Sequence, residues 1–282
     1  MRNALTIDLE DWYHPELVRS HLPKTEHAAQ IEQSTQQLLQ VLSRHDTKAT
    51  FFLLGEVARR HPRLIEAIAA AGHELGCHGM HHVPLWSMTP DEFRADLHQF
   101  STLIRETVPG AEVVGFRAPT FSLDNRSGWA LAVLGEFGYH YDSSIFPLRN
   151  LVYGVNGTPL TPYRPSPQDV RVADERAAVI EFPMSVWSWA GIKLPVCGGA
   201  YLRLLPWWLI QTCLHRIGQE RSFVIYVHPW ETYPLTRRLR LPIASRLVTY
   251  HNLDAMMSRL ESLLEQFSFA PMRAVLEEMG GV

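Results

Sequence analysis

Apolar and polar positions alternate in two rhythms along the first half of the chain. Ala4–Ile7 and Ala49–Leu54 are short runs rich in apolar and β-branched residues, of strand length. Between them, Ile31–Ser43 places Ile31, Leu38, Leu39 and Leu42 at the spacing of one helical face. Pro62–Ala71 reads as a helix stopped by Gly72, and Glu74–Cys77 as a third strand. Thr89-Pro90-Asp91-Glu92 supplies a cap, a proline at the first helical position and early acids, and so opens another helix. Glu112–Phe116 follows as a strand, Ser127–Phe137 as a helix ended by Gly138, and Tyr139–Tyr141 as a fifth strand. This alternation predicts a parallel sheet or barrel with its helices outside.

The rhythm breaks at Phe146. From there to Gln168 the chain holds five prolines and two glycines, which predicts a long loop. Val179–Phe182 and Phe223–Val227 restore the strand pattern, separated by a Gly- and Trp-rich stretch and a helix near Pro206–Ile217. Leu253–Phe267 carries a broad apolar helical face. No repeat is visible. The expected organisation is one domain over residues 1–282, with an inserted loop near 146–178 and a helical extension over 250–282.

Composition narrows the function classes. Of 282 residues, 46% are hydrophobic and 20% charged, enough apolar material for a sizeable core. Lys and Arg number 26 against 29 Asp and Glu, a net charge of −3 that argues against a nucleic-acid binder working by phosphate neutralisation. Three cysteines without a CxxC pair fit neither a disulfide framework nor a thiolate zinc knuckle. Cys77, next to His78, is expected in the core. The N-terminal residues lack a leader pattern, and no apolar run approaches the ~18 residues of a membrane span, so a cytoplasmic location is expected. Histidine is the outlying count, at 14.

Reactive residue types recur where predicted strands end. Asp8-Leu9-Glu10-Asp11 follows the first strand, His78-Gly79-Met80-His81-His82 the third, and Arg117-Ala118-Pro119 the fourth. Asp142 follows the fifth, and His228-Pro229-Trp230-Glu231 follows the late strand. In an α/β barrel those ends share one face, so the clusters would converge. His78 and His82 are spaced i,i+4, and a carboxylate from Asp11 or Glu10 would complete a two-histidine, one-carboxylate metal set with open positions.

These motifs, in this order from Thr6 to about Glu231, resemble the polysaccharide deacetylases of the NodB-homology type, carbohydrate esterase family 4. The opening Asp-Leu-Glu-Asp-Trp-Tyr-His and the late Tyr-Val-His-Pro-Trp-Glu look like the branch found in bacterial exopolysaccharide biosynthesis loci. The resemblance implies a distorted (β/α) barrel of seven or eight strands and a divalent metal, zinc first, with cobalt, nickel or manganese as alternatives. It implies Asp8 as general base and Asp11 as the metal carboxylate with Glu10 the alternative. His78 and His82 would be the other ligands, with His81 and His14 as neighbours.

Gly79 stands where a hydroxyl residue is usual, so that residue's hydrogen bond is lost or made elsewhere. Arg117 would pair with the base, and Asp142, with Phe146 where a tryptophan is common, would keep His228 protonated as general acid. Pro119, Trp230, Tyr201 and Arg203 would lie beside the substrate. The implied reaction is removal of N-acetyl groups from N-acetylhexosamine units of a polysaccharide or a lipid-linked precursor at a membrane surface. The alternatives are an allantoinase-like hydrolase of small cyclic amides and an inactive carbohydrate-binding relative.

Overall fold

The computed structural model describes residues 1–23 and 27–280. Its centre is β1 (Asn3–Leu9), all seven residues of which are buried. On one side of β1 follow β2 (Thr50–Leu53), β3 (Glu74–Cys77), β4 (Gly115–Phe116), β5 (Tyr141–Asp142) and β6 (Ile180–Glu181). A separate antiparallel hairpin is formed by β7 (Val186–Trp189) and β8 (Ile192–Pro195). β9 (Val224–Val227) also pairs with β1, and β10 (Phe269–Ala270) pairs with its first residues. All pairings in the resulting eight-stranded sheet are parallel. The sheet curves into a half-barrel, and no β6–β9 pairing closes it among the described residues.

Helices cover the outside because their apolar stripes need a partner. The helix Pro90–Thr107 starts in a full capping box between Thr89 and Glu92 and buries Phe93, Leu97, Phe100 and Ile104. Ile31–Arg44 buries Ile31, Leu38, Val41 and Leu42 in the same core. Both halves of the chain thus contribute strands and helices to one sheet and its core.

Two segments differ from the sequence expectation. The expected helical extension over 250–282 contains helices Met256–Gln266 and Met272–Glu278, but also β10, whose Phe269 and Ala270 align with Asn3 and Ala4. A two-residue strand is too short to show periodicity. The Gly- and Trp-rich stretch folds as the β7–β8 hairpin, with Trp187 and Trp189 stacked 6.4 Å apart. Cys197 then runs beside β9, where Tyr226 N–H donates to its carbonyl at 2.7 Å. Gly198 follows because a Cβ there would lie 2.0 Å from the Tyr226 carbonyl oxygen. The 146–178 segment is irregular, tied back by the Tyr163–Glu181 bridge and by hydrogen bonds such as Val170 N–H to Asn125 Oδ1 at 3.0 Å.

Candidate active site

The parallel strands carry their C-terminal ends to one face, and the reactive residues collect there. β1 delivers Asp8, with Glu10 two positions on and so on the same side of the pleat. β3 ends at Cys77 and delivers His78, whose Nδ1 lies 2.7 Å from the Arg117 carbonyl. That bond turns Nε2 inward, 3.2 Å from Glu10 Oε1. His82 Nε2 approaches the same oxygen at 3.0 Å. His82 sits in the left-handed region at φ 52°, and its carbonyl accepts Arg19 Nη1 at 2.9 Å.

The three donor atoms of Glu10, His78 and His82 lie within 4.8 Å of one another, and all three residues are buried. Tetrahedral zinc with N and O ligands separates its donors by roughly 3.3 Å. The two nitrogen-to-oxygen distances are close to that, and the donor types are those of hydrolytic metal sites, so these residues fit a divalent metal. Burial alone would push the Glu10 carboxyl up, but the imidazoles of His82, His228 and His78 hold it well below the usual carboxylate range.

Asp11, the expected ligand, points elsewhere. Its Oδ2 accepts the backbone N–H groups of Gln30 at 2.8 Å and Ile31 at 3.1 Å, and its Oδ1 accepts Trp12 N–H at 2.8 Å. Asp11 therefore closes the N-terminus of the helix Ile31–Arg44, which lacks a side-chain cap of its own. His14 accepts Asp11 N–H through Nδ1 at 2.7 Å and meets Glu56 at 3.0 Å, while half-exposed His81 lies 3.9 Å from Glu56. Neither histidine joins the cluster. Gly79 takes φ +78°, and a Cβ there would stand 3.3 Å from Asp96 Oδ2. The Asp96 carboxylate accepts Met80 N–H at 3.0 and 3.2 Å, so this loop is fastened from the helix Pro90–Thr107 without a hydroxyl at residue 79.

Asp8 is held by one of its two oxygens. Oδ1 accepts Arg117 Nη1 at 2.7 Å, while Oδ2 lies 4.0 Å from His228 Nε2. Arg117 is fully buried and braced by Thr6 Oγ1, the Ser143 carbonyl and Ser143 Oγ, with its guanidinium 4.3 Å over the Phe52 ring. His228 Nε2 also lies 3.7 Å from Glu10 Oε1.

The carboxylate on His228 is Glu231, not Asp142. Glu231 Oε2 meets His228 Nδ1 at 2.7 Å and also accepts its backbone N–H, while Oε1 accepts Arg203 Nε at 3.0 Å. Burial acts to lower the His228 imidazole, yet Glu10, Glu231 and Asp8 outweigh it and push it up to about 9. Burial would raise Glu231, but His228 and Arg203 hold it below its ordinary value. The signal in the sequence is the i,i+3 spacing behind Pro229, which makes a capping box of His228 and Glu231. Asp142 is engaged with Ser144 Oγ and with its register partner Glu181, whose Oε1 accepts Ile145 N–H at 2.8 Å. Burial pushes Asp142 up to about 6 and, together with the charge of Asp142, raises Glu181 well above the carboxylate range.

The expected substrate neighbours divide. A cavity of about 540 Å3 opens above the site, and Tyr201 and Trp230 line it, Trp230 stacked 5.6 Å from the His228 ring. Arg203 reaches the cavity wall but is buried, with its donors taken by Glu231 and the carbonyls of Val248 and His251. Its role is to hold Glu231. Pro119 is buried in a tight turn that presents Thr120 and Phe121, both at positive φ, to the cavity instead. Phe121, Tyr153 and Tyr226 complete an aromatic wall that strand-end reasoning had no means to find, since Tyr153 comes from the irregular 146–178 segment.

Comparison with known proteins gives two adjoining matches. Residues 23–141 match the polysaccharide deacetylase family, and residues 143–277 match a domain of unknown function (DUF3473). A peptidoglycan-N-acetylglucosamine deacetylase of Bacillus cereus is 34% identical over 98 residues, covering 34% of this chain and 35% of that protein. A chitooligosaccharide deacetylase of Sinorhizobium fredii is 35% identical over 85 residues, covering 30% of this chain and 40% of that protein. The chain thus spans about two fifths or less of the length of these curated relatives. A crystal structure of a Mycobacterium smegmatis protein assigned to the polysaccharide deacetylases shares the fold, with a TM-score of 0.62 at 22% identity, over 98% of this chain and 89% of that one.

Proposed function

We propose that this chain, whose residues 23–141 match the polysaccharide deacetylase family, is a metal-dependent hydrolase removing N-acetyl groups from N-acetylhexosamine units of a glycan. The observation that carries this reading is the convergence of Glu10, His78 and His82 with a free Asp8 oxygen and His228 Nε2, the last lying 3.7 Å from Glu10 and 4.0 Å from Asp8. Glu10, His78 and His82 would hold the metal, zinc first, which when bound polarises an amide carbonyl and acidifies water.

The protein groups divide the proton transfers. Arg117 holds Asp8 by Oδ1 and orients it, so that its second oxygen takes the proton of the attacking water. Glu231 accepts the Nδ1 proton of His228, which leaves Nε2 to deliver its proton to the departing amine. An amine is a poor leaving group as an anion, so the acid is required. Trp230, Tyr201 and the rest of the aromatic wall offer faces for a sugar ring. The substrate class is an N-acetylated exopolysaccharide or its lipid-linked precursor, and residues 1–282 act as one domain.

Metal-loaded protein tests this by acetate release. The reading expects acetate from chitooligosaccharides or from lipid-linked N-acetylhexosamine. Stoichiometric metal without acetate from any N-acetylated glycan, or ring-opening of a ureide instead, would overturn it.

A further inference from the structure

The rim of the cavity has a character that deacetylation does not use. Leu17, Leu151, Val152 and Val248 line its mouth and are exposed, Leu151 completely. The helix Ile243–Tyr250 carries the apolar surface outward through Ile243 and Leu247, 87% and 53% exposed. Single exposed aliphatics are ordinary, but six from three separate segments around one opening make a patch of the kind that marks an interaction surface.

The segment that carries part of this patch is basic. Between Glu231 and Asp254 the chain has Arg237, Arg238, Arg240 and Arg246 and no acidic residue. Arg238 pairs with Asp254, and Arg237 lies 5.3 Å over the Trp12 ring. Arg240 and Arg246 are exposed and make no ion pair among the described residues. Glu16, also at the mouth, offsets one of these charges.

We propose that this rim docks on a lipid bilayer bearing anionic headgroups, with the cavity mouth facing the membrane. Aliphatic side chains entering the headgroup boundary beside arginines that meet lipid phosphates are the two components of interfacial binding. A second copy of the chain fits less well, because a two-fold contact through this face would set the arginine cluster against itself. A neutral N-acetylated glycan offers no negative charge to the arginines and no aliphatic chains to the exposed rim. Among the described residues no helix is long and apolar enough to cross a membrane, so the attachment proposed is peripheral. The inference deepens the functional reading by bringing the acetylated sugar to the site at a membrane surface, as a lipid-linked glycan would be.

Co-sedimentation of the full chain with vesicles, in the absence of glycan, is the test. Binding is expected to vesicles of phosphatidylcholine mixed with phosphatidylglycerol, to be much weaker with phosphatidylcholine alone, and to fall as salt rises. Each arginine near the surface contributes about five-fold, so Arg240→Gln with Arg246→Gln weakens the partition about twenty-five-fold. Ile243→Ser with Leu247→Ser weakens it as well, and neither pair alters acetate release from soluble chitooligosaccharides. Equal sedimentation with neutral and anionic vesicles, an unaffected arginine pair, or a concentration-dependent dimer abolished by the Ile243/Leu247 pair would overturn the proposal. Vesicle binding without acetate release from any substrate would leave the docking surface standing and remove the activity.

Discussion

Two buried carboxylate systems sit at strand ends of the half-barrel, and they are neutralised in opposite ways. On the β1–β9 side Asp8 has Arg117 at 2.7 Å, and Glu231 has His228 at 2.7 Å and Arg203 at 3.0 Å. On the β5–β6 side Asp142 and Glu181 have mainly each other, Ser144 and backbone N–H groups. Glu231, Asp142 and Glu181 are all buried, so their ionisation depends on their neighbours. The cation-braced side keeps Glu231 ionised and His228 charged, as the proposed proton transfer requires, whereas burial makes Asp142 and Glu181 hold their protons to higher pH beneath the Ser143–Ile145 loop. Equivalent strand ends thus acquire different chemistry from the residue opposite.

The comparison breaks hardest at Asp8. Asp8→Asn is expected to lower kcat for acetate release by about 10²–10⁴-fold with metal content unchanged, because the base is lost and not a ligand. Metal analysis and steady-state rates on one preparation check it.

Glu231→Gln comes next, with a loss of about tenfold to a hundredfold in kcat. It also moves the pH profile. Under the proposed mechanism His228 acts as an acid while protonated, so activity is expected to fall as pH rises through about 9. Removing the negative charge of Glu231 lowers that imidazole, and the fall is expected at lower pH. Asp142→Asn should leave the alkaline limb where it is. A limb that moved with Asp142 and not with Glu231 would reverse the roles assigned to the two sides.

The smallest effect belongs to the carboxyl pair and concerns stability. Burial raises Asp142 from 3.8 to about 6 in the folded protein. Its favourable contribution is therefore complete below the unfolded value near 4 and is lost as pH climbs through about 6. Asp142→Asn, which cannot ionise, should gain stability over the parent by of order 1–3 kcal/mol between about pH 5 and about pH 8. Urea midpoints at the two pH values measure this, and an unchanged difference between parent and variant would contradict a raised Asp142 carboxyl in the folded protein.

Much of the fold was legible because long elements repeat their pattern. Ile31–Arg44, Pro90–Thr107 and β1 to β3 each offer several turns or a full apolar run to read. β10 and the β7–β8 hairpin were not legible: two residues have no period, and burial in the hairpin is confined to its open end, at Val186 and Pro195, so no alternation marks it. At the site, strand-end placement brought Asp8, His78, His82 and His228 together in sequence reasoning, and the structure places them around one cavity. The Asp11 expectation failed to weigh the pleat. Asp8 and Glu10 share a side by alternation, and Asp11, one step on, was free to cap a helix. Arg203 and Glu231 required three-dimensional information, since 28 residues separate the two halves of their ion pair.

The central claim is that Glu10, and not Asp11, completes the metal site with His78 and His82. Metal content after zinc loading of Glu10→Ala and Asp11→Ala, each compared with the parent, tests it most directly. The account predicts that Glu10→Ala loses bound zinc while Asp11→Ala retains about one equivalent despite a weakened helix start. Full zinc in Glu10→Ala together with its loss in Asp11→Ala would contradict it.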